Sequence, residues 1–399
     1  MFKFIRDTKI NKLRFLSLAG ALMIAALGMT SCEDNIIFEE DEDCHSGINL
    51  QFVYDYHMEK DANAFTANVD CVTVYVFDTD ENYLGKYFME TSNILQDENY
   101  RMHLPLEEGD YHLVVYGGTS CEDSKFNFEP AWQSRAQGKQ SDIKVTLPLD
   151  ADGTSHTQLH DLAERTGGLF YGTLDVTITE HDWREVHKMR TEKVYLMKDT
   201  NNIQVILQEL SYPRHVDYND FDYKIIDDNF VLDGYNALIP TATENFEPYY
   251  TPYGAENRLM GYTEPGVNNG DPASIDPDDT VQVACVEFST SRLFADHMDT
   301  ARLVVSSRTE FEKDGSPKVV IDMPLIKYLM ATKGFGQNWI KVDPVLTARH
   351  PGADNLDQQY LDRQSNWTLF FFLQKNVWVN ARVVVNNWTV RENNITLGL

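Results

Sequence analysis

The sequence predicts an all-β chain of two tandem antiparallel β-sandwiches, and three observations carry the prediction. Apolar residues recur with period two in short runs along most of the chain, and Asp, Asn and Gly punctuate those runs. The pattern stops at Asp150–Thr154 (Asp-Ala-Asp-Gly-Thr), which reads as a linker, and then restarts. Helical spacing is confined to one short stretch. Strands with one apolar face must bury it against a second sheet, which is the definition of a sandwich.

Taken in order, Gly47–Tyr56 alternates Ile48, Leu50, Phe52, Tyr54 and Tyr56 against Asn49, Gln51, Val53 and Asp55. Strand-like runs follow at Cys71–Phe77, Tyr100–Leu106, Tyr111–Tyr116 and Ile143–Leu149, separated by turns at Asp78–Asn82, Glu107–Asp110 and Gly117-Gly118. After the linker come Leu169–Thr179, Lys193–Met197, Ile203–Leu207 and Lys224–Ile226. Pro240–Thr280 is rich in Pro, Gly, Asn and Asp and reads as a long surface excursion, the kind of loop that is usually functional or mobile. Strands resume at Val281–Phe288, Ala301–Ser306, Lys318–Met323, Thr368–Leu373 and Ala381–Val390. Pro324–Thr332, with Pro first and then Leu325, Ile326 and Leu329, is the best helix signal. The expected domains are residues 44–150 and 155–399, the second carrying the loop 240–280.

The N-terminus reads as a targeting segment. A basic stretch (Lys3, Arg6, Lys9, Lys12, Arg14) leads into apolar Phe15–Met29, then small Thr30-Ser31, then Cys32. The apolar run is shorter than the ~20 residues of a spanning helix. Residues 1–31 are therefore expected to be a lipoprotein signal, with Cys32 the acylated first residue of the mature chain. Residues 32–43 form an acidic tether whose self-repelling carboxylates favour an extended chain. The leader holds five of the 34 Lys+Arg and one of the 62 Asp+Glu, so the remainder has a net charge of −32. That field repels nucleic acid and anionic lipid surfaces, which leaves the acyl chains as the membrane attachment.

Four further cysteines are Cys44, Cys71, Cys121 and Cys285. Cys71 and Cys285 fall inside strand runs and read as small buried hydrophobes. Cys44 and Cys121 sit in polar surroundings, where an oxidising compartment permits a bridge between them. Four cysteines allow three pairings, and sequence does not choose.

Catalytic and metal patterns are scarce. There is no Gly-x-Ser-x-Gly, His-Glu-x-x-His or glycine-rich phosphate loop after a strand, and no cofactor is expected. The spacing of His181 and His187 does not favour a shared metal on a helix or a strand. Asp271–Asp279 is acidic but lacks the ligand spacing of a calcium loop. Trp132, Tyr249, Tyr250 and Tyr253 lie in loop-like sequence and offer an aromatic platform for glycans, or packing for their own loop.

Several segments, in order, resemble the FimB-like fimbrial anchor family of Bacteroidales. They are Asp61–Asp78, Tyr100–Tyr116, Leu159–Leu162, Leu169–Gly172, Gln359–Ser365, Leu369–Leu373 and Val384–Arg391. The resemblance implies two transthyretin-like sandwiches and a non-catalytic subunit at the base of a fimbrium. Its partner would be the major fimbrial subunit, its place the outer membrane through lipid on Cys32, and its influence on fimbrial length. Glu33 and Asp34 resemble the surface-export signal of lipoproteins in these bacteria, and Thr280 and Thr300 resemble their O-glycan acceptor pattern. Joining is expected by strand addition, with Val383–Val390 the candidate strand. The rival reading is a glycan-binding surface lipoprotein.

Overall fold

The computed structural model describes residues 47–58, 63–89, 92–118, 126–130, 138–147, 168–179, 190–262, 280–330, 333, 343–350, 352–385 and 388–394. The first ten strands are β1 (Ile48–Val53), β2 (Cys71–Phe77), β3 (Tyr83–Met89), β4 (Met102–Leu104), β5 (Gly109–Gly118), β6 (Asn127–Glu129), β7 (Lys144–Thr146), β8 (Leu169–Ile178), β9 (Thr191–Tyr195) and β10 (Met197–Lys198). A three-stranded sheet, β4-β1-β9, packs on a five-stranded sheet, β10-β8-β5-β2-β3. The period-two residues meet between them: Ile48, Leu50 and Phe52 of β1 face Val72, Val74 and Val76 of β2 and Leu113 and Val115 of β5. Full burial of each such side chain is worth ~1.5–3 kcal/mol.

The remaining strands are β11 (Thr200–Glu209), β12 (Phe221–Ile226), β13 (Val231–Asp233), β14 (Tyr249–Tyr250), β15 (Gly254–Gly261), β16 (Thr280–Ser291), β17 (Arg302–Phe311), β18 (Pro317–Pro324), β19 (Asn366–Leu373), β20 (Trp378–Val385) and β21 (Trp388–Asn394). A six-stranded sheet, β15-β16-β11-β19-β20-β21, covers a four-stranded one, β14-β12-β17-β18. Val205, Leu207, Phe288, Leu369 and Phe371 of the first pack with Tyr223, Ile225, Leu303, Val305 and Ile321 of the second. The opposite face of the six-stranded sheet is apolar too, with Ile206, Val283, Cys285, Phe370 and Phe372 all buried.

Four sequence expectations need correction. The sheets change over at Asp199, not at 150–154. β8 pairs with β5 along ten residues, and β9 runs parallel to β1, so both belong to the first sandwich. Turn-like composition marks a turn but cannot say whether the chain returns to the same sheet. Ala381–Val390 is two strands, because β20 ends at Val385 and β21 pairs back on it with Val385 opposite Trp388. The described part of the 240–280 excursion is not a free loop. It contributes β14 and β15, and β15 pairs with β16 along eight residues. Finally, Cys71 is buried as expected but is disulfide-bonded, its partner lying outside the described residues. Cys285 is buried and free.

The helix expected at 324–332 is present as α3, and five α-helices are described: α1 (Phe65–Asn68), α2 (Ser92–Leu95), α3 (Leu325–Met330), α4 (Pro344–Arg349) and α5 (Leu356–Arg363). Asn355 caps α5 by accepting from the N–H of Asp357 and Gln358. The small sheet β13-β7-β6 joins a strand of the second half to two of the first. The Tyr75, Phe77 and Tyr116 side of the five-stranded sheet therefore merges into the core of the second sandwich.

Candidate functional site

The chain passes from one sandwich to the other at Asp199, fully buried between β10 and β11. Its Oδ1 accepts from Asn236 Nδ2 at 2.9 Å, while Oδ2 has no hydrogen-bond partner. Burial pushes this carboxyl up to about 7, against the opposing pull of Arg292 and the Asn236 bond. Arg292, at the end of β16, is also buried but is committed elsewhere. Its Nε and Nη2 each donate at 2.8 Å to Asp362 of α5, and its Nη1 donates to the Asn236 carbonyl at 2.8 Å. This forked pairing is the strong geometry for an arginine and a carboxylate. Gln358 supports it, donating to Asp362 at 2.7 Å and to the Leu293 carbonyl at 2.9 Å.

Asn236 is placed by a turn that its own sequence dictates. Asp233 accepts from the N–H groups of Tyr235 and Ala237, and Asn236 takes a left-handed φ of 61°, which asparagine tolerates. Gly234 in the same turn receives hydrogen bonds at its carbonyl from Tyr171 and Gln140 of the first half. A Cβ on Gly234 would lie 2.1 Å from the Gln140 carbonyl oxygen, so only glycine fits.

Aromatic groups complete the seam. Tyr56 stacks on His350 with ring centres 3.9 Å apart, and the Met58 N–H donates to the Arg363 carbonyl. Burial, with Arg349, Arg363 and Arg292 nearby, pushes His350 down to about 3, so the ring is neutral. A polar cavity of about 80 Å³ opens beside it, lined by Tyr54, His57, Lys198 and Arg363 among others. Among the described residues no group of His, Cys, Asp or Glu could hold a metal ion, and no helix is long and apolar enough to cross a membrane.

The residues singled out from sequence fare differently. Cys32, Cys44, Cys121, Trp132, His181, His187 and Asp271–Asp279 lie outside the described residues. Thr280 and Thr300 are both exposed. Tyr249 and Tyr250 are buried, Tyr250 against Phe230 at 4.2 Å, so they pack their own loop and offer no platform. In the proposed joining strand, Ala381 and Val383 are core residues, and β20 is paired on both sides by β19 and β21. Among the described residues, the outer strands of that sheet are β21 and, on the other side, β15. The seam itself was missed: Asp199, Arg292 and Asp362 stand in polar runs (Lys198–Asn202, Ser289–Arg292 and Asp362–Ser365), which carry no mark of burial in the sequence.

The seam is a buried polar and aromatic contact between two sandwiches, and comparison with known proteins gives the chain a family. A family model described as fimbrillin-A associated anchor proteins Mfa1 and Mfa2 matches residues 40–394. Among solved structures, a Bacteroides thetaiotaomicron protein described as an adhesin is 31% identical, over 89% of this chain and 100% of that one, with a TM-score of 0.66. A second protein of that species, described as polysaccharide-binding, is 28% identical over 88% of this chain and 98% of its own, with a TM-score of 0.62. The fimbrial anchor protein Mfa2 from Porphyromonas gingivalis shares the fold, at 15% identity over 87% of this chain and 99% of its own, with a TM-score of 0.53. No curated protein sequence matches. With a family model spanning most of its length, the chain belongs to the Mfa2 family of fimbrillin-A associated anchor proteins.

Proposed function

We propose that this protein is an outer-membrane lipoprotein, acylated at Cys32, that holds a fimbrium at the cell surface and influences its length. The family match over residues 40–394 is the observation that carries the reading. The leader ending in Ser31-Cys32 and the acidic Glu33–Asp43 segment support the lipid attachment, since two acyl chains make a stable anchor. Contact with the major fimbrial subunit is non-covalent, through groups at a sheet edge and their neighbours, and involves no chemistry. Thr280 and Thr300 are exposed, as O-glycan acceptors must be.

A chain starting at Glu33 behind an ordinary cleavable secretory signal tests the anchor. It should fold, leave the membrane fraction and release fimbriae into the medium; its retention in the membrane would refute attachment through Cys32. Deleting Asn387–Leu399 tests strand exchange at the C-terminal end. A folded truncation that sheds fimbriae supports exchange at β21, whereas an unfolded one places that strand in its own domain.

A further inference from the structure

Strand directions assign the two ends of the second sandwich. β11 starts beside Asp199 and runs to Glu209, roughly 30 Å from the seam at ~3.3 Å per residue. β19 runs parallel to β11, so its end at Leu373 reaches the same far end. There Glu209 is almost fully buried, with Oε1 accepting from the N–H of Ser211 at 2.7 Å and of Lys375 at 2.9 Å, and Oε2 from Asn376 at 3.0 Å. Lys375 and Asn376 both have positive φ, 54° and 56°, forming a two-residue hairpin turn of a type that usually needs glycine. The carboxylate holds that turn in place through charge-assisted bonds. Asn376 in turn donates to Glu310 at 2.8 Å, and Lys318 donates to the same carboxylate at 2.7 Å.

Four large apolar side chains follow directly on members of this network and remain in water. Tyr212 follows Ser211 and is 94% exposed, Phe311 follows Glu310 and is 60% exposed, Val319 follows Lys318 at 51%, and Val377 follows Asn376 at 41%. Two aromatic groups on an immobilised base, rimmed by charge, have the composition of an interface hot spot. The base is already ordered, so little entropy is lost on docking.

The other extremity of the molecule is accounted for. β1 runs toward the seam, since the residues after it stack on His350 and bond Arg363. The segment before Gly47 therefore enters at the end of the first sandwich remote from the seam. From Cys32 to Gly47 the chain reaches ~50 Å at full extension. Laid end to end across the seam, the ten-residue strands β5 and β11 add up to roughly 65 Å, more than the tether's reach.

We propose that the far end of the second sandwich, centred on Tyr212, Phe311 and Val377, is the surface on which a structural subunit of the fimbrium docks through an apolar patch of its own. This rests on the anchor reading. It places the partner at the opposite extremity from the lipid, where a subunit projecting from the cell must be met. The flanking charges are of both signs, which suits an apolar protein surface better than a polyanion or a polycation.

The test immobilises the chain from Glu33 onward and measures binding of fimbriae sheared from the same cells. The combined variant Tyr212→Ser, Phe311→Ser, Val377→Ser should lose at least tenfold in affinity with an unchanged melting temperature, while Val345→Ser, also exposed but on α4, should bind as wild type. Equal binding by the triple variant overturns the surface and leaves the anchor reading standing. If instead wild type does not bind, and cells lacking the protein keep their fimbriae, the anchor reading itself fails. Sedimentation supplies a third outcome: a wild-type dimer that the triple variant converts to monomer assigns the surface to a second copy and overturns the proposal. Should the triple variant not fold, Tyr212→Ser alone decides, since its side chain is almost wholly in water.

Discussion

At the seam, Arg292, Asp362, Asp199 and Tyr56 are withdrawn from water and hold two sandwiches together. At the far end of the second sandwich a buried carboxylate, Glu209, does the reverse, fixing a turn beside which Tyr212, Phe311 and Val377 stand in solvent. Polar groups are inside and apolar groups outside, the arrangement on which the proposed docking surface rests. The difference separates a contact made once, during folding, from a surface that, on the proposal above, is completed only in assembly. Four substitutions break or sharpen that contrast.

The largest effect should come from Arg292→Ala. Its loss leaves the Asp362 carboxylate buried without its forked partner, a situation that costs about 3–5 kcal/mol. Urea unfolding at neutral pH measures it, and a loss below about 1 kcal/mol would mean the seam is not held by this pair.

Asp199 makes the seam sensitive to pH. Its carboxyl titrates near 7 in the folded chain and at about 3.9 when unfolded. The folded state therefore binds the extra proton. Stability is unimpaired below about pH 4, falls as pH rises from about 4 to 7, and levels off above, at about 1.4 kcal/mol per unit. Asp199→Asn removes this dependence. Between pH 5 and pH 8 wild type should lose about 2–3 kcal/mol more than the variant, and parallel profiles would refute the assignment.

Smaller changes belong to the far end. Glu209→Gln leaves at least one N–H of Ser211, Lys375 or Asn376 facing an amide donor, at about 1–3 kcal/mol. Hydrogen exchange should quicken at those amides while the seam stays protected. Phe311→Ser should shift stability by no more than about 0.5 kcal/mol, because the ring is in water already. A large thermal shift would show it to be part of the fold.

The strands were legible because period two survives wherever one face is buried. Ile48, Leu50, Phe52, Tyr54 and Tyr56 were all marked as a single face, and all five are buried. The sandwich boundary was not legible, because β5 and β8 are about fifty residues apart in sequence and their ladder leaves no mark in local composition. β15 was hidden for another reason: its side chains are mostly exposed on an edge, so Gly254–Gly261 shows no alternation. α5 was overlooked because its buried residues include Gln358, Gln359 and Asp362, whose hydrogen bonds rather than apolarity carry them inside. The seam and the far end share that difficulty. Both depend on which polar atoms meet, and meeting is a property of the folded chain.

β1 lies between β4 and β9, paired to one antiparallel and to the other parallel. Whatever holds the chain upstream of Gly47 pulls along this strand whenever a load acts on the second sandwich. Such a pull runs parallel to the strand and across its hydrogen bonds, so both ladders are loaded in shear and must yield together. A strand peeled sideways from an edge would instead release its bonds one at a time. The handle enters through a gap with room for backbone alone, since a Cβ on Gly47 would sit 2.0 Å from the Leu104 carbonyl oxygen. Under the proposed attachment upstream of Gly47, the first strand of the fold is thus the one that meets the load, and it meets it in shear.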